Sequence, residues 1–168
     1  MNTRESVLAI HPFSRGFGWI VFSANQVPID WGVAEKRKDR NAECLLAVER
    51  IVDRYQPDAI LLEAFELPAG KRITRIRHLC RSLMSFAQAR AIDVTIYSRT
   101  EIQAVFVQVG AASRYEIACL IAQRIDALRT RLPKKRATWE GESPAMALFN
   151  AAAVGLTHYH RADGPLSA

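Results

Sequence analysis

The alternation of short apolar runs with longer amphipathic stretches is the feature that most constrains how this chain can fold. Apolar runs separated by hairpin-sized turns open the chain and predict antiparallel strands at 6–10, 16–23 and 27–34. Later segments alternate in helical and strand periodicity, which predicts helices at 42–55 and 73–91 and strands at 58–63 and 93–97. This order predicts an α/β fold: a mixed five-stranded sheet between layers of helices.

The remaining third of the sequence predicts helices. Ser113, with Glu116 three residues later, forms the pattern of a capping box and predicts the start of a long helix. Ser143 and Pro144 predict the start of a last helix that runs to about residue 160. We expect one domain over residues 1–168, with a short flexible tail at 161–168.

Composition excludes several classes of protein. The 168 residues are 49% hydrophobic and 24% charged, which is the composition of a folded domain and not of a disordered chain. No apolar run reaches the roughly 18 residues of a membrane span, and the first residues lack the pattern of a secretory signal. The three cysteines lie far apart, without zinc-ligand spacing. We therefore expect a cytoplasmic protein without membrane contact, disulfides or structural zinc.

Positive charge is concentrated in two stretches of the sequence. The net charge is +6, and residues 71–81 contain five Lys or Arg residues and no acid. Residues 124–136 contain six basic residues against one acid, Asp126. Clustered positive charge favours a polyanionic partner, although basic residues on solvated helix faces are also common.

Two polar residues follow apolar strands that the predicted order places side by side. His11 comes after the first strand, and Glu63 ends the fourth. Ligand sites of open α/β sheets lie at the carboxyl ends of strands, so these two residues form a candidate site; simple solvation of the strand ends is the alternative. Asn150 lies within an apolar helix, where its amide must find partners in a cleft or in nearby backbone.

Several segments resemble, in order, the RuvC Holliday-junction resolvases of the RNase H-like (retroviral-integrase-like) superfamily. The first resembles that family's strand and Asp-Pro-Gly-Ser-Arg motif, and the second resembles a Gln-Pro-Asp stretch that ends in a catalytic Glu. The others resemble the family's Gln-Ala-Arg-Gly helix end, a loop in which a Lys contacts DNA, and the last catalytic helix. In this chain they are residues 7–19, 55–63, 86–90, 107–114 and 151–160.

The resemblance implies an RNase H-like three-layer α/β/α fold and a catalytic site that is degenerate here. The family hydrolyses phosphodiesters with two Mg²⁺ ions held by four carboxylates. Carried over by position, those carboxylates correspond to His11, Glu63, Ala147 and Asn150, so three of the four are replaced. We therefore predict a protein without Mg²⁺-dependent endonuclease activity and without a cofactor, in which Mg²⁺ or Mn²⁺ has a role only if activity is retained.

Other arrangements of the site stay open from the sequence. Acids elsewhere could compensate for the lost carboxylates, and the candidates are Glu66, Glu140 and Glu142. His11, Glu63 and Asn150 could together bind one transition metal such as Zn²⁺ or Mn²⁺. The simplest alternative is that His11 and Glu63 hydrogen-bond to each other and close the old cavity.

The resemblance and the basic clusters together predict binding of DNA or another nucleic acid, through contacts to phosphates. The residues predicted to make these contacts are Arg15, Arg77, Arg81, Arg114, Lys134, Lys135 and Arg136. A homodimer is implied by the resemblance alone. Two alternatives are a divergent structure-specific endonuclease that uses a different metal set, and a structural subunit that does not bind nucleic acid.

Overall fold

A computed structural model describes residues 5–64, 71–137 and 142–163. The strands of this structure are β1 (Val7–Phe13), β2 (Gly16–Phe22), β3 (Pro28–Glu35), β4 (Ala59–Glu63) and β5 (Asp93–Tyr97). The α-helices are α1 (Arg40–Tyr55), α2 (Lys71–Ala89), α3 (Arg99–Val107), α4 (Arg114–Arg124) and α5 (Ala145–Asp163). A 3₁₀ helix, Asp126–Arg131, follows α4.

The five strands form one mixed sheet in the order β3-β2-β1-β4-β5. The first three strands are antiparallel neighbours, and β1, β4 and β5 run parallel to one another. The predicted mixed five-stranded sheet is therefore confirmed, including the adjacency of the first and fourth strands at its centre. Because β1 and β4 are parallel, their carboxyl ends lie at the same edge of the sheet.

Helices cover both faces of the sheet, so the fold has three layers. Successive side chains of β1 point to opposite faces, as the pleat of a strand requires. Val7 and Ala9 pack in the hydrophobic core formed with α3, α4 and α5, whereas Leu8 and Ile10 pack in the core formed with α1 and α2. The predicted α/β/α layering is confirmed.

The structure differs from the sequence prediction at several element ends. β1 continues to Phe13 because Phe13 pairs with Gly16 across a tight turn, so His11 lies inside the strand and not after it. The helix predicted from Ser113 ends at Arg124 and gives way to the 3₁₀ helix. The last helix continues to residue 163, so the first residues of the predicted flexible tail are helical; its remainder, 164–168, lies outside the described residues.

α5 is the long apolar helix that crosses β1 and β2. It lies so close to β2 that a Cβ atom on Gly18 would be 2.1 Å from the carbonyl carbon of Ala147. Gly18 is the partner of His11 in the β1–β2 pairing, so the glycine brings α5 down onto the sheet beside His11. None of the helices in the described ranges combines the length and the hydropathy of a membrane-spanning segment.

The close approach at Gly18 leads to a first prediction. Gly18→Ala is expected to lower the free energy of unfolding by about 1–3 kcal/mol, because the added methyl group meets helix backbone that cannot move alone. Gly32→Ala is the matched control, since its Cβ would lie 3.1 Å from the indole nitrogen of Trp19, a side-chain atom. Urea denaturation measures both; equal losses for the two variants would contradict this packing.

Candidate functional site

The pleat of the sheet directs His11 and Glu63 towards α5. His11 is in phase with Ala9 on β1, and Glu63 is in phase with Leu61 on β4; Ala9 and Leu61 belong to the core that α5 helps to form. Both polar residues lie near the carboxyl ends of adjacent parallel strands. The strand order and the period of two therefore bring together two residues that are 52 positions apart in the sequence.

His11, Glu63, Arg114 and Asn150 form one polar network beneath α5, which we call the buried network. The Nδ1 atom of His11 lies 3.1 Å from Oε2 of Glu63, and Nη2 of Arg114 donates to Oε1 of Glu63 at 2.9 Å. A longer contact of 3.4 Å joins Nη1 of Arg114 to Oε2. The arginine therefore approaches both carboxylate oxygens, and His11 lies against one of them.

Asn150 completes the network from α5. Its Nδ2 atom lies 3.4 Å from Nε2 of His11, so the imidazole is contacted on both of its ring nitrogens. An amide N–H that donates to Nε2 leaves the imidazole proton on Nδ1, on the side of Glu63. The buried amide thus has a partner in His11, and the relative exposures of His11, Glu63 and Asn150 are only 7%, 4% and 5%.

Glu63 is held as a carboxylate despite its burial. Burial raises its pKa, but the close contact with His11 and the interaction with its charge, followed by the charge and hydrogen bonds of Arg114, lower the pKa to about 2. The net effect favours the ionised form at any physiological pH. Glu63 is therefore a buried anion whose charge is balanced by residues of the chain itself.

The position of Arg114 follows from how α4 begins. The Ser113 side chain accepts a hydrogen bond from the backbone N–H of Glu116, and the Glu116 side chain accepts one from the backbone N–H of Ser113. This is the predicted capping box, and it fixes Arg114 as the first residue of the helix. The sequence predicted that Arg114 contacts nucleic acid; the structure places its guanidinium on Glu63, with 34% of the side chain exposed.

The donor set of the buried network does not fit a pair of hard divalent cations. Mg²⁺ requires several oxygen ligands, and here the one carboxylate is already contacted by Arg114 and His11. Ala147 offers no side-chain donor. Within the described ranges, no group of three His, Cys, Asp or Glu side chains is arranged to hold a metal ion. Of the acids that could compensate, Glu66 and Glu140 lie outside those ranges.

A basic cavity of about 680 Å³ opens beside Arg114. Basic residues from the segment before α5 line it, together with Glu142 and Met146; these basic residues are Lys134, Lys135 and Arg136. The structure thus brings four of the seven sequence-predicted nucleic-acid contacts, these three residues and Arg114, to one cavity. Arg15 does not line this cavity. It lies on the β1–β2 turn, where its Nη2 atom is 3.5 Å from Oε1 of Glu35.

A second groove, of about 230 Å³, lies on the other side of Glu63. Arg77 and Arg81 of α2 line it, and Met84 and Ile96 supply exposed apolar surface. Glu63 lines this groove, and its partner Arg114 lines the basic cavity. The buried network therefore lies where the two concave regions approach each other.

Sequence reasoning missed one residue of the site, Arg99. It is the first residue of α3, two positions after the end of β5, and it lies near enough to Glu63, Arg114 and Glu142 for their charges to alter its pKa. The pKa of Arg99 is lowered, first by burial and then by the charge of Arg114. Its place two residues beyond β5, a strand that runs parallel to β4, was the signal that could have identified it.

The layer order, the strand order and the placement of the polar residues define an RNase H-like α/β fold. The chain is similar to "Crossover junction endodeoxyribonuclease RuvC" of Protochlamydia amoebophila, with 24% identity over 135 residues that cover 75% of this chain and 80% of that protein. The protein of the same name from Akkermansia muciniphila is 25% identical over 171 residues, an alignment that covers 96% of this chain and 94% of that protein. No family model matches the chain.

Solved structures agree with these relatives. The Thermus thermophilus RuvC in complex with a Holliday junction substrate superposes with a TM-score of 0.71 at 17% identity, over 94% of each chain. The yeast mitochondrial Holliday junction resolvase superposes with a TM-score of 0.57 at 12% identity, over 90% of this chain and 76% of its own. The chain is RuvC-like in sequence and has the RuvC fold.

Proposed function

We propose that this RuvC-like protein binds branched or double-stranded DNA by contacting the phosphate backbone of the DNA. We also propose that it does not cleave DNA with Mg²⁺. The observation that carries the proposal is the pairing of Glu63 with Arg114 and His11. In a RuvC-type nuclease the equivalent carboxylate helps to hold two cations. In this chain the side chains of His11 and Arg114 make the contacts with the Glu63 carboxylate that such cations would need.

Binding of DNA is supported by the charge and shape of the surface around the network. The basic cavity offers the ammonium and guanidinium groups of Lys134, Lys135 and Arg136, and the second groove offers Arg77 and Arg81. Such groups contact phosphates without reading sequence, so the expected binding is strongly dependent on salt. The similarity to a RuvC that is in complex with a Holliday junction supports DNA, and a branched form of it, as the partner.

Loss of metal-dependent cleavage is supported by the charges of the site. Three of four carboxylates are absent, and at an effective dielectric of about 20 each lost contact at about 4 Å removes about 4 kcal/mol of attraction per unit charge. Arg114 adds a fixed positive charge on the carboxylate that is left. A divalent cation would have to displace this arginine and would find few anionic ligands in exchange.

Chemistry without a metal is disfavoured by the same geometry. A His–Glu pair beside an arginine is a set of groups that can perform acid–base catalysis. Here both ring nitrogens of His11 face protein groups, and Glu63, with a pKa of about 2, is a weak base. The buried network therefore has the properties of a structural element and not of a proton shuttle.

Fluorescence anisotropy of labelled DNA in EDTA tests the proposal. We expect a four-way junction and a duplex to bind without a divalent ion, with affinity that falls steeply as salt rises. Replacing Lys134, Lys135 and Arg136 with glutamine should reduce the salt dependence. Arg50→Gln, on exposed α1 surface, is the matched control and should leave it unchanged. Binding that does not depend on salt would contradict the proposed phosphate contacts, and no binding at all would favour a structural subunit that does not bind nucleic acid.

A nicking assay on four-way and flapped DNA with Mg²⁺ and Mn²⁺ tests the second half of the proposal. We expect intact strands. Cleavage that Glu63→Ala abolishes would show a divergent structure-specific endonuclease and overturn the inactive assignment. The resemblance also predicts a homodimer, and sedimentation of the free protein measures it.

A further inference from the structure

The segment between β3 and α1 carries a run of positive charge that belongs to neither of the two concave regions described above. Its sequence is Lys36-Arg37-Lys38-Asp39-Arg40, so four of its five residues are cations. Arg37, Lys38 and Arg40 are exposed, and Lys36 is half-buried. These four residues line neither the basic cavity nor the second groove. They therefore form a charged surface of their own.

Hydrogen bonds hold this segment against the β1–β2 turn. The backbone N–H of Lys36 donates to the carbonyl of Arg15 at 2.8 Å, and Nη1 of Arg40 donates to the carbonyl of Ser14 at 3.1 Å. A guanidinium nitrogen of Arg75, from α2, donates to the same carbonyl of Ser14. The segment is thus anchored at both ends, and two further cations, Arg15 and Arg75, lie beside it.

Positive charge exceeds negative charge in this region. Three acids lie on or beside the segment, namely Glu35, Asp39 and Glu43, and Glu35 is paired with Arg15. Within the described ranges, the four cations of the segment form no ion pair. Six cations therefore stand against three acids, and we call these six the second basic surface: Arg15, Lys36, Arg37, Lys38, Arg40 and Arg75.

The second basic surface lies at the same edge of the sheet as the buried network. β3 and β4 both run parallel to β1, so residue 36, which follows β3, leaves the sheet at the edge where Glu63 ends β4. The strand order puts three strand spacings, or about 14 Å, between these two positions. That is about four phosphate spacings along one DNA strand, so a single phosphate cannot contact both.

The two basic regions also differ in the layer of helices that supports them. The basic cavity lies beside α4 and the start of α5, which cover one face of the sheet. Arg40 and Arg75 belong to α1 and α2, which cover the other face. Two backbones that diverge across the sheet edge would each meet one of these regions.

We propose that the second basic surface binds the phosphate backbone of a second arm of branched DNA, while the basic cavity binds the first arm. The proposal rests on the DNA binding proposed above and names the feature that favours a branched form. The arms of a junction diverge from one point, and once one arm is bound the second binds at a high effective concentration. Arg15, a sequence-predicted contact that lines no cavity, belongs to this surface.

The double variant Arg37→Gln/Lys38→Gln tests the proposal, with Arg50→Gln/Arg54→Gln as its control. Both remove two positive charges from exposed positions, and Arg50 and Arg54 lie about 15 and 21 Å further along α1 than Arg40. Fluorescence anisotropy in EDTA compares a four-way junction with a duplex that has the length and sequence of one of its arms. Each affinity is measured over a series of salt concentrations.

We expect Arg37→Gln/Lys38→Gln to weaken binding of the junction at least about ten-fold and to lower its salt slope by about two. Binding of the duplex should change by less than about two-fold, because a single arm can still occupy the basic cavity. The control variant should bind both forms of DNA as the wild-type protein does. An unchanged affinity for the duplex would also show that the double variant is folded.

Equal weakening of junction and duplex would show that one arm crosses both basic regions, and it would overturn the assignment to a second arm. A loss for the junction no greater than that of the control would exclude the second basic surface from DNA binding. Neither result would affect the basic cavity. If the wild-type protein bound neither form of DNA, the proposed function itself would be wrong.

Discussion

Replacing Arg114 with methionine is expected to lower the free energy of unfolding by about 3 kcal/mol at pH 7. Glu63 is almost completely buried, and the guanidinium of Arg114 contacts both of its carboxylate oxygens. Methionine keeps the apolar stem and removes the charge, so the carboxylate would be left in the interior with His11 alone. Removing one member of a buried pair costs far more than the pair itself contributes.

A double-mutant cycle separates this effect from general damage. Arg114→Met combined with Glu63→Gln should recover a large part of the lost stability, since no buried charge is left without its partner. Arg81→Met on the exposed face of α2 is the control for loss of a guanidinium and should change stability by less than about 0.5 kcal/mol. Urea denaturation of the four proteins measures the cycle. Additive effects of the two substitutions would show that Arg114 and Glu63 do not interact.

Acid is expected to remove the stability that Glu63 provides. Its pKa in the folded protein, about 2, lies below the ordinary 4.5, so the unfolded chain takes up a proton before the folded one does. The contribution is therefore complete above pH 4.5 and is lost as the pH falls towards 2, with a total of about 3 kcal/mol. By pH 3 about 2 kcal/mol of it should be gone.

Glu63→Gln isolates this contribution from the other carboxylates. The difference in stability between the wild-type protein and Glu63→Gln should be constant from pH 7 to pH 5 and should shrink by about 2 kcal/mol at pH 3. Urea titrations at each pH give the difference directly. A constant difference down to pH 3 would mean that the carboxylate is not stabilised by its partners. A difference that shrinks already between pH 7 and pH 5 would mean that its pKa is raised.

The sheet edge that carries the site could be predicted from the sequence. The order of short apolar runs and helical segments predicted that the first and fourth strands are adjacent. That adjacency alone places residues 11 and 63 near the same end of neighbouring strands. That Asn150 needs a partner also followed from the sequence, because a polar amide on an apolar helix must be satisfied. These inferences depend on periodicity and burial, which are local properties of a sequence.

The partner of Glu63 could not be predicted in the same way. Arg114 is 51 residues away, and its sequence context indicates a contact with nucleic acid equally well. Whether a side chain turns inwards to a carboxylate or outwards to a ligand depends on the packing of α4 against α5. Arg99 was missed for a related reason: its nearness to Glu63 and Arg114 depends on how α3 packs, which a single arginine after a strand does not reveal.

The charge balance around Glu63 has a physical explanation. A lone Glu63 among apolar neighbours would be an uncompensated buried charge if no cation bound it. Arg114 and His11 provide that compensation within the chain, so folding does not require a metal. Under the proposed function, the replacement of three carboxylates and the Arg114–Glu63 ion pair are parts of a single change, from a site that recruits cations to one that contains its own.

Manganese binding tests this claim most directly. Free Mn²⁺ is counted by electron paramagnetic resonance as it is added to the protein at pH 7.5, with Glu63→Gln and Arg114→Met measured beside it. We predict that the wild-type protein and Glu63→Gln retain the same small amount of Mn²⁺ up to millimolar concentrations. Two Mn²⁺ ions per wild-type chain, lost in Glu63→Gln, would contradict the conclusion that the carboxylate is neutralised from within.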